Sequence, residues 1–431
     1  MSFTLTDIWN KGKNNIKSHS QNFISQPWAT GVTLITCVLI AMLLANLSFT
    51  KDAYFGFLHT SLGLNIQSPA DPDTGNAAVN WVFPKGLSVE GFVNDILMVI
   101  FFFTVGLEIR RELVRGELSS RKKAMMPVIA ALGGVLLPAI IFATINHGTM
   151  SASGWGIPTA TDIAFAVGIM SILGDKVPLS LKVFLTALAI VDDLIAIIVV
   201  AVFYGGHIDI TLLLIAVALI LFVIVIKKAG EKHWAFYLIP AIAIWALFYH
   251  SGIHATMSGV VMAFIVPMEP AKKGTEGLAA ILERTLTPWV NFLIMPIFAL
   301  ANAGVQITNP SYFNVFQYSP EIGGVGMGIF LGLVLGKPIG ITLASWLAVK
   351  TGLGEAPANS NWKMLFGVAC LGGIGFTMSL FVDTLSFGDA PAQIMSSLRD
   401  AGKIAILLAS ITAGIAGSIL VSITHKKKIE Q

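Results

Sequence analysis

Long apolar runs broken by short polar connections dominate the chain. A helix needs about 20 mostly apolar residues to cross the hydrocarbon of a bilayer. Twelve runs approach that length, over 28–48, 90–109, 124–146, 157–174, 180–204, 210–227, 234–249, 254–268, 288–306, 326–349, 362–383 and 401–424. The seventh and eighth are short. Between the first two, residues 51–88 are polar and rich in Pro, Asp, Gly and Asn, which predicts an extramembrane excursion with a turn near "DPDTG". Residues 1–26 are polar and basic without an apolar core, so the first run reads as a retained span and not a cleaved signal. The expected organisation is an N-terminal segment over 1–27, a helical membrane domain over 28–424 and a short tail over 425–431.

The placement of basic residues agrees with that count. Of 27 Lys and Arg, 22 fall on one side of a twelve-span arrangement. Only Lys51, Lys85, Arg399 and Lys403 fall on the other, and Lys337 lies inside a span. Positive charge concentrates on the cytoplasmic side, so both termini are expected there. Composition narrows the class further. Charged residues make up 12% of the chain, about half the share in soluble domains, so the chain cannot cover itself with polar surface. Its two cysteines, Cys37 and Cys370, lie in apolar runs and read as small packing residues, not a disulfide framework.

Two spans carry helix-breaking residues in mid-membrane. The fourth holds "GIPTATDIAFAVG", with Pro158, two threonines and Asp162; the eleventh holds "CLGGIGFTMSLF", with Gly372, Gly373, Gly375 and then Thr377. Gly and Pro weaken helix interiors. Backbone groups freed in lipid survive only where protein or a cavity satisfies them. Paired interrupted spans in two halves of a chain point to an inverted-repeat transporter with its site at the midplane. Residues 124–204 would form one repeat and 326–424 the other. The bland reading is close packing of Gly-rich helices.

Ionisable residues inside spans cost at least about 2.5–3.5 kcal/mol each and mark function by default. Here they are Asp95, Asp162, Asp192, Asp193 and Lys337, with Glu108, Arg110, Arg111 and Glu112 at the end of the second span. Asp383, near the far end of the eleventh, reads as interfacial. Asp162 follows a helix break, where a carboxylate can meet unpaired N–H groups. Lys337 in "LVLGKPIG" is not a phosphate loop, because Pro338 follows it where Ser or Thr is needed. It must pair with a carboxylate, Asp162 or Asp192, or with helix carbonyl ends. Asp192 and Asp193 point about 100° apart on one helix and can border one crevice. Two close carboxylates do not both ionise cheaply. Such a pair either holds protons or releases them and holds a small hard cation. His233, His250 and His254 read as interfacial hydrogen-bonding residues.

In sum the motifs "NDILMVIFFFTVGLEIRREL", "PTATDIAFAVGIM", "LTALAIVDDLIAIIVVAVFY", "SGIHATMSGVVMAF", "TPWVNFLIMPIFALANAGV", "LGKPIGITLASWLA" and "GIGFTMSLF" resemble the NhaA-type sodium/proton antiporter family, in family order across nearly the whole chain. That family is itself built on inverted repeats. The resemblance implies an all-α integral membrane fold of twelve transmembrane helices, with inverted-topology repeats and two interrupted helices crossing at the midplane. It implies that Asp192 and Asp193 bind the cation and protons. Asp162 and Thr161 would sit at the crossing, with Lys337 facing it and able to pair with Asp192. Asp95 matches a membrane aspartate of the second span. Glu108, Arg111 and Glu112 match a charged cluster at a cytoplasmic funnel, and Glu283 an acidic pH-response position. In "LERTLTPW", Arg284 and Thr287 stand near where strongly pH-regulated members carry histidines.

The expected activity is electrogenic export of Na⁺ or Li⁺ against incoming H⁺ across a bacterial inner membrane, with no cofactor and no catalysis. The 51–88 excursion matches a family hairpin that supports a homodimer. The alternative is a cation- or anion-coupled symporter on the same architecture. Carboxylates without a converging basic pocket favour a cation over an anion. An intramembrane aspartic protease is excluded, because its two aspartates stand on separate helices in other motifs.

Overall fold

A computed structural model describes residues 26, 28–62, 87–206, 208–269, 276–307, 313–388 and 391–429. Among these, every regular element is helical, and extended pairing is confined to isolated bridges such as Ser61 with Ser88. The chain runs through α1 (Ala29–Asn46), α2 (Lys51–His59), α3 (Val89–Arg115), α4 (Arg121–Ile145), a 3-10 stretch (Ala152–Thr159), α5 (Ile163–Leu173), α6 (Leu179–Phe203) and α7 (Ile210–Lys228). It continues through α8 (Ala235–Ser251), α9 (Met257–Ile265), α10 (Leu278–Asn302), α11 (Val325–Lys350), α12 (Trp362–Gly372), α13 (Phe376–Leu385) and α14 (Ala392–Ile429).

Among the described residues, nine stretches are long and apolar enough to cross a bilayer, or ten if α12 and α13, bent by 45° at their junction, form one span. Helix α8 is apolar but has 17 residues. Helix α9 has nine residues. At 1.5 Å per residue it reaches only about 13 Å, so the run over 254–268 holds a short helix between non-helical ends.

Several helices outrun their apolar cores. The runs 90–109, 288–306 and 401–424 become Val89–Arg115, Leu278–Asn302 and Ala392–Ile429. The added turns carry charged residues such as Arg111, Glu283 and Arg399, which hydropathy reads as connection and the backbone continues as helix. In the 51–88 excursion, the first nine residues form α2, and Leu62 N–H donates to Leu87 O at 2.7 Å where its ends meet. The expected "DPDTG" turn lies outside the described residues, as does nearly all of the 1–27 segment.

Burial sorts the helices into centre and rim. In α6, 72% of the spanning window is buried, against 11% in α7. Leu214, Leu221 and Val225 of α7 are exposed, as lipid-facing positions are. Helices α4 and α11 approach backbone to backbone, because a Cβ on Gly133 would strike the Gly340 carbonyl and a Cβ on Gly340 the Gly133 carbonyl. Small residues at such crossings are how membrane helices pack closely. Wide turns of π type occur at Val290–Ile294 and Gly332–Gly336, with Pro296 and Pro338 two residues beyond each. Proline has no N–H and clashes with the carbonyl four residues back, so the helical ladder widens before it. The wide turn in α11 delivers Lys337 into the interior.

Candidate functional site

Two breaks face each other at the centre. The first lies at Ala160–Asp162, between the 3-10 stretch and α5, where Ala160 is extended. The second lies at Gly373–Gly375, between α12 and α13. Each supplies bonds that the other lacks. Thr161 Oγ1 donates to Gly372 O at 2.7 Å, Asp162 N–H to Ile374 O at 2.6 Å, and Ser379 Oγ to Ile157 O at 2.8 Å.

Asp162 binds the first turns of two helices. Its Oδ1 accepts from Phe165 N–H at 3.1 Å, the N-cap bond of α5. Its Oδ2 accepts from Thr377 N–H at 3.0 Å, in the first turn of α13, and from the Thr377 hydroxyl. A carboxylate suits helix N-termini, where N–H groups lack partners and the helix dipole is positive. In the sequence Thr377 reads only as a polar residue after a glycine break. Its role as donor to Asp162 needs the second break to be placed against the first.

Lys337 Nζ donates to Asp192 Oδ2 at 2.6 Å and to Thr159 O at 2.7 Å. Of the two carboxylates open to it from sequence, Asp192 is the partner. Asp162, Asp192, Asp193, Thr161 and Lys337 are all at most 2% exposed. Asp192 Oδ1 and Asp193 Oδ1 have no hydrogen-bond partner among the described residues. The neighbours therefore differ: Asp192 is tied to a lysine, and Asp193 is not.

Asp193 borders a cavity of about 370 Å³, together with Asp162, Thr377, Thr104, Asn291 and Glu108. A second cavity of about 290 Å³ is lined by Arg110, Arg111, Glu112, Arg115 and Glu283. Arg111 joins Glu112 at 3.0 Å, Glu108 at 3.8 Å and, in a short contact, Glu283 of α10. The predicted charged cluster thus assembles around one guanidinium. Arg110 turns away, donating to Ala263 O at 2.9 Å and to Val266 O, where it satisfies the C-terminal carbonyls of short α9.

Asp95 is not part of either group. It lies on α3 beside α8, where Trp245 Nε1 donates to the Asp95 carbonyl at 2.9 Å. Asp383 corrects an expectation. It is fully buried, not interfacial, because α14 begins at Ala392, nine residues before its apolar run, and covers it. His254 contacts the Tyr204 carbonyl through Nε2, as an anchoring histidine does.

An all-helical, multi-span membrane protein with a bonded pair of helix breaks and buried charges beside a cavity is the class that fold and site define. The family description "Na+/H+ antiporter 1" matches residues 21–421, and the chain belongs to that family. Relatives agree along their length. The Na(+)/H(+) antiporter NhaA 2 of Flavobacterium johnsoniae is 44% identical over 418 residues, covering 97% of this chain and 95% of that protein. The Na(+)/H(+) antiporter NhaA of Cytophaga hutchinsonii is 42% identical, covering 95% and 96%. That of Pelagibacter ubique is 40% identical, covering 96% and 99%.

Proposed function

We propose that the chain is an electrogenic antiporter that exports Na⁺ or Li⁺ against incoming H⁺, by alternating access around Asp192 and Asp193. The single observation that carries this reading is the contrast within the pair. Asp193 is buried at a cavity wall with an unpartnered oxygen, and Asp192 is held by Lys337. Asp193 is the carboxylate free to exchange a proton for a cation. When the cation binds, the second proton leaves either from Asp192 or from Lys337 once its pair with Asp192 breaks. Glu108 lines the cavity, and Arg111, Glu112 and Glu283 surround the adjoining one, so this cluster is the funnel through which ions arrive.

The reading includes twelve crossings: the ten stretches named above with α8 and α9 added. It includes inverted repeats over 124–204 and 326–424, which is supported by one break in each and by the bonds between the breaks. It places the protein in a bacterial inner membrane with cytoplasmic termini, supported by the 22 to 4 split of basic residues. The cavity, which Glu108 lines, then opens to the cytoplasm. A homodimer through 51–88 and a cytoplasmic tail over 425–431 belong to the same proposal.

If two protons exchange for one cation, one charge moves per cycle, worth about 2.3 kcal/mol per 100 mV. Purified protein in liposomes tests the site. Asp193→Asn should abolish the Na⁺-dependent pH change while leaving the folded, monodisperse fraction intact. Normal exchange by that variant would remove Asp193 from the site. A membrane potential set with valinomycin should change the rate of the unmodified protein; a rate blind to potential rules out unequal charge exchange.

A further inference from the structure

Helix α13 carries a buried acid that the exchange reading leaves unused. Asp383 lies six residues beyond Thr377, about 9 Å along the axis. Between them Phe381 packs on Phe102 at 4.9 Å and near Phe298 at 6.4 Å. Both oxygens of Asp383 are buried without a hydrogen-bond partner among the described residues. They lie against the backbone of α14, where a Cβ on Gly402 would strike the carboxylate.

Helix α14 places Arg399 and Lys403 one turn apart on either side of that glycine, and both attract Asp383 electrostatically. Neither reaches hydrogen-bonding distance. Arg399 Nη2 donates instead to Thr384 O at 2.5 Å, and its Nε is buried with no partner among the described residues. Asp400 and Tyr204 complete the charged and titratable groups facing Asp383. A buried acceptor and a buried donor left unjoined are each the costly half of a hydrogen bond.

We propose that Asp383 is a positioning residue of the exchange cycle. When α13 moves to close the Asp193 cavity and open the opposite face, its carboxylate leaves Gly402 and pairs with Arg399 and Lys403. That pairing sets the balance between the two access states. Through α13 it acts on Thr377, and through Thr377 on Asp162. The inference rests on the exchange reading above.

The test is Na⁺-driven exchange in everted vesicles, where Na⁺ is offered on the cavity side. Asp383→Asn keeps the shape and removes the charge. It should leave more protein in the cavity-open state, so the maximum rate should fall at least about fivefold while the apparent KM for Na⁺ falls or stays level. Damage to the ion site would raise KM instead. Arg399→Gln leaves Asp383 in place and should give the same pattern, so the test survives if Asp383→Asn does not fold. The double variant should be no worse than the poorer single one, and Asp383→Glu should recover most of the rate. Unchanged rates, a raised KM, or losses that multiply in the double variant would overturn the proposal. Asp193→Asn run in parallel separates the two readings: if it is inactive, a negative result counts against Asp383 alone, and if it is active, both fall.

Discussion

Replacing Lys337 by Met gives the sharpest test of the central charge arrangement. Lysine and methionine have similar stems, so packing along the chain is kept and only the ammonium is lost. In the native structure both partners of the ion pair are fully buried, and Nζ donates to Asp192 Oδ2 at 2.6 Å. Among the described residues Asp192 Oδ1 has no hydrogen-bond partner, and Thr159 O loses its 2.7 Å donor as well. Breaking a buried pair by removing one member costs about 3–5 kcal/mol, because the other charge remains uncompensated. For a chain of this size, with an unfolding entropy of about 2.1 cal/mol/K per residue, that corresponds to a drop in thermal midpoint of about 3–6 °C. The assay is the fraction of monodisperse protein left after heating in detergent, compared between variants at one heating rate. Adding Asp192→Asn to Lys337→Met should restore most of the loss, since replacing both members of a buried pair is close to neutral. A single variant as stable as the unmodified protein, or a double variant no better than the single, refutes the argument.

Three further outcomes follow from the packing and the bonds. Thr377→Val removes one hydroxyl donor from Asp162 and should lower stability by about 1–2 kcal/mol in the same heating assay, with the helix ends still capped by backbone donors. Gly340→Ala drives a methyl into the Gly133 carbonyl, so the yield of folded protein on size-exclusion should drop sharply; Gly56→Ala in α2, with open space around it, should leave the yield unchanged or slightly raised. Arg111→Ala removes contacts on a side chain that is 46% exposed, so the thermal midpoint should move by no more than the equivalent of about 1 kcal/mol, and less still in high salt.

The spans were legible because lipid demands long apolar runs, and the buried charges because they are so few. Asp192, Asp193 and Lys337 stood out in sequence for that reason, and Lys337 meets one of its two candidate carboxylates. What sequence could not supply was depth. Asp383 sits where the apolar run of its span ends, and hydropathy therefore put it at the interface. Helix α14 starts at Ala392, before its apolar run, and brings Gly402 against the carboxylate, which is fully buried. The length of α9 was hidden for the opposite reason: apolar residues flank it, and periodicity does not show that only nine residues of the run over 254–268 are helical. Arg110 and Arg111 look alike in the chain, yet a turn of 100° sends one to the α9 carbonyls and the other to a cluster of glutamates.

The carboxylate of Asp162 has a mechanical consequence. It caps α5 and also holds donors from the first turn of α13, so any motion that pulls these two apart gives up both bonds from Thr377 at once, each about 1.5–3 kcal/mol. The two half-spans are therefore pinned as one pivot. In the proposed cycle, movement that exposes Asp193 to alternate sides is then borne by the parts around that pin, by wide turns such as the one before Pro338 and by sliding along neighbouring helices.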